Sequence, residues 1–254
     1  MELHLQISEW LKEYLEKNHL DAFVIGVSGG IDSAVTSALC ATTNKKTILI
    51  TMPIHQNPQE TTRGQKHINW LKNTFNRVES LHIDLTLAYE ELKKTVPTNM
   101  QTDLSLANTR ARLRMSTLYL IAGSSKGIVV GTGNKVEDFG IGFFTKYGDG
   151  GVDISPIADL MKSEVYMLAE KIGISEEIIL AKPTDGLWND GRTDEDQIGV
   201  SYDELEWAMI TDKNKDFNDK ETKILKIFNK HRSANLHKMK EIPVFKKKEQ
   251  DISK

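Results

Sequence analysis

The sequence predicts a doubly wound α/β fold, a Rossmann-like parallel sheet of about five strands with helices on both faces. Three observations carry that expectation. The stretch Phe23 to Ser33, FVIGVSGGIDS, passes from an uncharged apolar strand through a glycine turn directly into a helix. Further short apolar runs alternate with helical patterns at the spacing of right-handed βαβ units. The 254 residues, 39% hydrophobic and 27% charged, suit one large globular domain over 1–254 and leave no room for a second of ordinary size.

Composition narrows the function. A net charge of -3 gives no general attraction to nucleic acid. One cysteine, Cys40, excludes an intramolecular disulfide and any multi-cysteine metal site. The amphipathic first residues carry both charge signs, unlike a signal or transit peptide, and no apolar run approaches membrane-spanning length. A cytoplasmic protein with no membrane partner is expected.

Taken in order, Leu3, Ile7, Trp10, Leu11, Tyr14 and Leu15 share one helical face, predicting a helix to about Asn18. Ala22 to Val27 is the first strand and the helix after it starts near Asp32. Lys46 to Met52 is a second strand, followed by the loop IHQNPQETT, a candidate neighbour of a base or ribose. A helix from about Glu60 to Phe75, a strand VESLHIDL and a helix near Leu87 to Lys94 follow. Asp103 to Gly123 is a long helix in which Arg110 and Arg114 read as a solvated face and Arg112 points to the opposite side. Lys126 to Gly131 is the fourth strand. Leu160 to Ile172, Ser175 to Ala181, a segment from about Tyr202 whose role reads as packing, and Lys220 to Asn235 complete the helices, with the polar stretch NDGRTDEDQIG as a mobile surface loop and KKKEQDISK as a disordered tail.

The turn after the first strand carries the chemistry. The first N–H groups of a helix lack intrahelical partners and carry the positive end of its dipole, and Gly29 and Gly30 let an anion approach them. No lysine stands where a GxxxxGK[ST] loop has one, while Asp32 would repel phosphate unless a divalent cation, Mg²⁺, lay between them. The loop therefore predicts binding of magnesium pyrophosphate. Farther along, Gly148, Gly150 and Gly151 form a tight loop presenting Lys146, Asp149 and Asp153 to a polar ligand.

SGGIDS resembles the pyrophosphate loop of the N-type ATP pyrophosphatases, whose members include NAD synthetases and the ATPase domain of GMP synthetase. The loop alone does not choose among them. Gly142 to Gly173, beginning GFFTKYGDGGVDISP, resembles the NAD synthetase signature over its whole length, and NTRARLRM, AKPTDGLW, SYDELE and the closing His237-Lys238 with Pro243 resemble further segments of that family. No glutaminase domain is expected, so the resemblance is to the ammonia-dependent form. At GTGNKVE the outer Thr132 and Glu137 match the family, whereas Gly133 and Asn134 stand where aspartate and histidine are usual.

The resemblance implies ATP-dependent amidation of deamido-NAD by ammonia to give NAD, AMP and pyrophosphate, through an adenylated carboxylate. It implies ATP binding by Gly26, Val27, Ser28, Gly29, Gly30, Ile31, Asp32, Ser33, Thr132, Lys162 and Thr184, and Mg²⁺ held by Asp32 and Glu137. Deamido-NAD is assigned to Arg112, Lys146, Asp153, His237 and Lys238, and catalysis to Asp32, Lys162 and Asp149, the last as receiver of ammonium. A homodimer is also implied. The alternatives are a GMP synthetase-like ligase and a non-catalytic ATP-binding sensor, which metal-dependent ATP turnover separates.

Overall fold

A computed structural model describes residues 1–56, 58–184, 186, 192–212 and 214–247. Helix α1 (Leu3–Lys17) precedes β1 (Ala22–Gly26), α2 (Ile31–Thr42), β2 (Lys46–Thr51), α3 (Pro58–Thr74) and β3 (Val78–His82). Then come α4 (Thr86–Thr95), α5 (Asp103–Ser125), β4 (Gly127–Val129) and a π-helix, Val136–Ile141. The chain continues through α6 (Lys162–Ile172), α7 (Glu176–Ile179), α8 (Asp194–Ile198), α9 (Tyr202–Ile210) and α10 (Asp219–Met239).

The sheet is parallel, in the order β3-β2-β1-β4, with Val24 opposite Ile48 on one side and Val129 on the other. Four strands are formed among the described residues, not about five. The next extended segment contributes a single bridge, Ile154 to Val130. Pro156, which has no N–H to offer, stands two positions on and ends the pairing.

Alternation along β1 explains the double winding. Phe23, Ile25 and Val27 join a core with α1, α2, α3 and α6, while Ala22 and Val24 join a second core with α4 and α5. Both faces are therefore apolar, which is why the strand reads as an uninterrupted hydrophobic run. A third cluster ties the π-helix to α8, α9 and α10. From β1 the chain steps outward to β3, then returns through α4 and α5 to β4 on the other side of β1. That reversal opens a crevice at the carboxyl ends of β1 and β4, the usual ligand position in such sheets.

Several element limits differ from expectation for identifiable reasons. Strand β3 stops at His82 because Asp84 accepts from the Thr86 N–H at 2.8 Å and starts α4. Strand β4 starts one residue later than expected because Lys126, at φ 52, is the left-handed C-cap of α5, and it ends at Val129, with Val130 in the single bridge to Ile154. Helix α3 begins early, at Pro58, a residue suited to the first helical position. On α1 the buried stripe is Ser8, Leu11 and Leu15, whereas Leu3 and Trp10 are exposed. Part of the expected mobile loop is helix α8, and Asp194 in it is buried; residues 189–191 of that loop and 248–254 of the tail lie outside the described residues.

His67 fastens α3 to α2. Ser37 Oγ donates to Ala34 O at 3.0 Å and lies 2.9 Å from His67 Nε2, so its remaining lone pair can accept the ring N–H. Burial lowers the His67 pKa from 6.5 to about 4, so its neutral form contributes stability above pH 6.5 that is lost as pH falls toward 4. The loss amounts to about 3 kcal/mol. His67→Leu is expected to flatten that part of the acid-unfolding profile, measured by chemical denaturation at stepped pH.

Candidate active site

A cavity of about 290 Å³ lies at the carboxyl ends of β1, β2 and β4, bounded by Gly26 to Ser28, Ile50 to Pro53 and Val130 to Gly133. The turn after β1 forms one wall. Gly30 caps α2 without a side-chain hydrogen bond, leaving the first helical N–H groups open to an anion. Two serines shape the turn: Ser28 Oγ accepts from Gly30 N at 3.2 Å, and Ser33 Oγ accepts from Ser28 N at 3.2 Å. Gly26, Val27, Ser28, Gly30, Ile31, Asp32, Ser33, Thr132 and Thr184 all line the cavity.

Gly29 faces away from it, against α3. Its φ is +90, and a Cβ there would run into the Glu60 carbonyl oxygen. Only glycine meets both demands. Gly29→Ala is expected to weaken ATP binding roughly tenfold through about 1–2 kcal/mol of backbone strain, while unfolding remains cooperative; isothermal calorimetry on the folded variant checks this.

Behind the carboxylates sits Lys162, the first residue of α6, with a side chain 3% exposed. Its Nζ donates to Asp32 Oδ2 at 2.6 Å and to Glu137 Oε1 at 3.1 Å. A lysine at a helix N-terminus opposes the dipole, and burial alone would lower its pKa. Asp32 and Glu137 outweigh both effects and hold the ammonium charged well above the usual lysine range. Glu137 reaches this point through the π-helix, a local widening often found at functional sites.

Sequence reasoning missed several members of this cluster. Asn134 is fully buried; its Nδ2 donates to Asp32 Oδ1 at 3.0 Å and its Oδ1 accepts from the N–H groups of Val136 and Glu137 at 3.1 Å. Asn134 therefore holds Asp32 directly and the backbone of Glu137. Tyr202, read as packing, donates to Glu137 Oε1 at 2.6 Å and to Asp194 Oδ2 at 3.2 Å, and its ring lies 4.7 Å from Lys162 Nζ. Gly133 is explained by Asp138, whose carboxyl fills the volume that a side chain at 133 would need. Burial pushes the Asp138 pKa up to about 8, with Glu137 and Asp149 adding to the effect. Arg114, expected on a solvated face, instead lines the cavity and donates to Met52 O at 3.0 Å and Gln56 Oε1 at 2.8 Å.

Asp149 also lines the cavity. The residue as a whole is at the surface, but its carboxyl turns inward to accept from Thr145 N at 3.0 Å, and burial raises its pKa. The residues assigned to a dinucleotide lie elsewhere. Arg112 donates to Lys146 O at 3.3 Å, Lys146 to His237 O at 3.1 Å and Lys238 to Phe144 O at 2.6 Å, gathering four of them around the 142–151 loop. The fifth, Asp153, is separate: its carboxyl accepts from Tyr119 OH and from Val129 N, both at 2.8 Å, closing the end of α5 onto β4. The three residues that the sequence places near one loop thus have different surroundings: Lys146 meets the His237 carbonyl, Asp149 lines the cavity and Asp153 joins α5 to β4.

The model of the NAD synthase family matches residues 3–250. A curated NH(3)-dependent NAD(+) synthetase from Finegoldia magna is 36% identical over 221 residues, covering 85% of this chain and 88% of the relative. One from Thermoplasma acidophilum is 39% identical over 224 residues, covering 85% and 86%. The solved structure of NMN synthetase from Francisella tularensis superposes with a TM-score of 0.86 at 32% identity, over 95% of this chain and 96% of that one.

Proposed function

Since the chain belongs to the NAD synthase family, we propose that it amidates deamido-NAD with ammonia, cleaving ATP to AMP and pyrophosphate. It is a ligase of NAD biosynthesis. The observation that carries this reading at the site is the convergence in one cavity of an anion-accepting glycine turn with Asp32 and Glu137, which Lys162 backs from behind through hydrogen bonds to both. A carboxylate is a poor electrophile, so it must first be activated. Its oxygen attacks the α-phosphorus of ATP, the bond to the β-phosphate oxygen breaks, and pyrophosphate leaves. Ammonia then attacks the acyl carbon, AMP leaves with the bonding pair, and the nitrogen loses one proton to become the amide.

Two polyanions must meet here, so the residues needed are mainly those that offset charge. The N–H groups of the Gly30-capped helix and Lys162 stabilise negative charge as it moves onto pyrophosphate. Asp32 and Glu137 offer hard carboxylate oxygens at one point, a donor set that suits Mg²⁺, which binds through one or two carboxylates plus substrate phosphates. When bound it would offset phosphate charge. Asp149 accepts the ammonium proton. Arg112, Lys146, His237 and Lys238 hold the acceptor, in a homodimer working in the cytoplasm; a monomer in sedimentation would overturn the dimer.

A second acceptor, nicotinate mononucleotide, is raised by the NMN synthetase neighbour and by the separation of those four residues from the cavity. One assay decides: pyrophosphate release from MgATP with either acceptor, with and without ammonium, and mass detection of the product. Release dependent on deamido-NAD, with NAD formed only when ammonium is present, supports the main reading. Release with the mononucleotide alone replaces it.

A further inference from the structure

The anion-binding turn lacks the lysine that phosphate loops of the GxxxxGK[ST] kind carry, and Lys162 is engaged with two carboxylates. A second cation reaches the turn from outside it. Arg63, on α3, lines the cavity, and its Nε donates to the carbonyl oxygen of Gly29 at 3.4 Å. No carboxylate partner for Arg63 is found among the described residues.

The position is imposed by backbone contact. Gly29 lies against the Glu60 carbonyl and the Gly64 N–H, and a Cβ at Gly64 would stand 3.4 Å from Gly29 N. Two glycines therefore let α3 press on the turn, and the residue preceding Gly64 is Arg63. Glu60, on the same wall one turn earlier, is occupied by the Gln56 amide, which in turn accepts from Arg114. Its charge is thus linked through neutral Gln56 to a second arginine and is not spent on Arg63. A guanidinium has five donors in a planar fork that matches phosphate oxygens, and the Gly29 carbonyl uses one.

We infer that Arg63 is a binding residue for the β- and γ-phosphates of ATP and for the pyrophosphate that leaves, supplying across the turn the cation that its own sequence omits. The inference rests on the ATP reading above and is independent of the acceptor. It requires that Arg63 discriminate between ligands that carry a pyrophosphate group and ligands that do not.

The test compares Arg63→Ala and Arg63→Lys with the unaltered protein by calorimetry, using MgATP, magnesium pyrophosphate and AMP as separate probes. Arg63→Ala is expected to weaken MgATP and pyrophosphate about 10- to 30-fold and leave AMP within twofold, with Arg63→Lys recovering part of the loss. Equal losses for all three probes would mean that Arg63 merely holds α3 against the turn. No loss, or loss for AMP alone, overturns the inference. If the unaltered protein binds MgATP no better than AMP, the inference falls together with its premise. If it binds MgATP strongly but turns over neither acceptor, only the acceptor reading falls.

Discussion

Lys162→Met is expected to lower the rate of pyrophosphate release by at least about 10²–10³-fold and to destabilise the protein in the absence of divalent metal. The Lys162 side chain is 3% exposed and sits between Asp32 at 19% and Glu137 at 16%. Removing it leaves two mostly enclosed carboxylates facing each other, and breaking such a buried pair costs about 3–5 kcal/mol. For a chain of this size that corresponds to a fall of roughly 10 °C in Tm. Two further measurements identify the cause. Mg²⁺ should raise the Tm of the variant more than that of the unaltered protein, because a cation then replaces the missing ammonium. Adding Glu137→Gln should recover stability by removing one of the opposed charges, a coupling that a double-mutant cycle measures. Equal Mg²⁺ shifts in the two proteins, or additive effects in the cycle, would show that Lys162 acts through packing alone.

That cluster also shows what a sequence can and cannot reveal. The turn from Ser28 to Ser33 is legible because all its parts are local: strand, glycines, acid and helix start follow one another. Its partner Lys162 is 130 residues away from Asp32, and only the resemblance to a family tied the two together. Asn134 has local partners in the Val136 and Glu137 N–H groups, but its bond to Asp32 appears only when the end of β4 is brought beside α2. Tyr202 read as packing because an aromatic residue opening an amphipathic helix most often is. Periodicity placed Arg114 on a face but could not say that β2 would end against that face. The acidic stretch holding Asp194 read as solvated for the same reason, although its α8 is short and closed by a capping box between Thr193 and Asp196. Core positions were easier, since a strand buried on both faces leaves a continuous apolar run that no pairing partner alters.

Asp149→Asn is expected to separate the two half-reactions. An asparagine keeps the shape of the side chain and an oxygen to accept the Thr145 N–H that Asp149 now accepts at 3.0 Å, so the loop should hold its form. It cannot take a proton from ammonium. Formation of the adenylate, followed as a burst of pyrophosphate in rapid-quench experiments without ammonium, should therefore stay within about twofold of the unaltered rate, whereas aminolysis should slow by about 10²–10⁴-fold, the range of a lost general base. Raising the pH supplies more unprotonated ammonia, so the deficit should shrink as pH increases. Stability should move the other way from an ordinary active-site lesion. Burial holds the folded pKa of Asp149 above its unfolded value, so the aspartate's contribution is fully present below the unfolded pKa and is lost as pH rises through the folded one. The asparagine has no such loss and should be at least as stable as the aspartate in alkaline buffer. A variant that instead failed to release pyrophosphate would place Asp149 in the adenylation step, and the proton would then have to pass to another carboxyl in the same wall, of which Asp138 is the one whose side chain already fills the space beside Gly133.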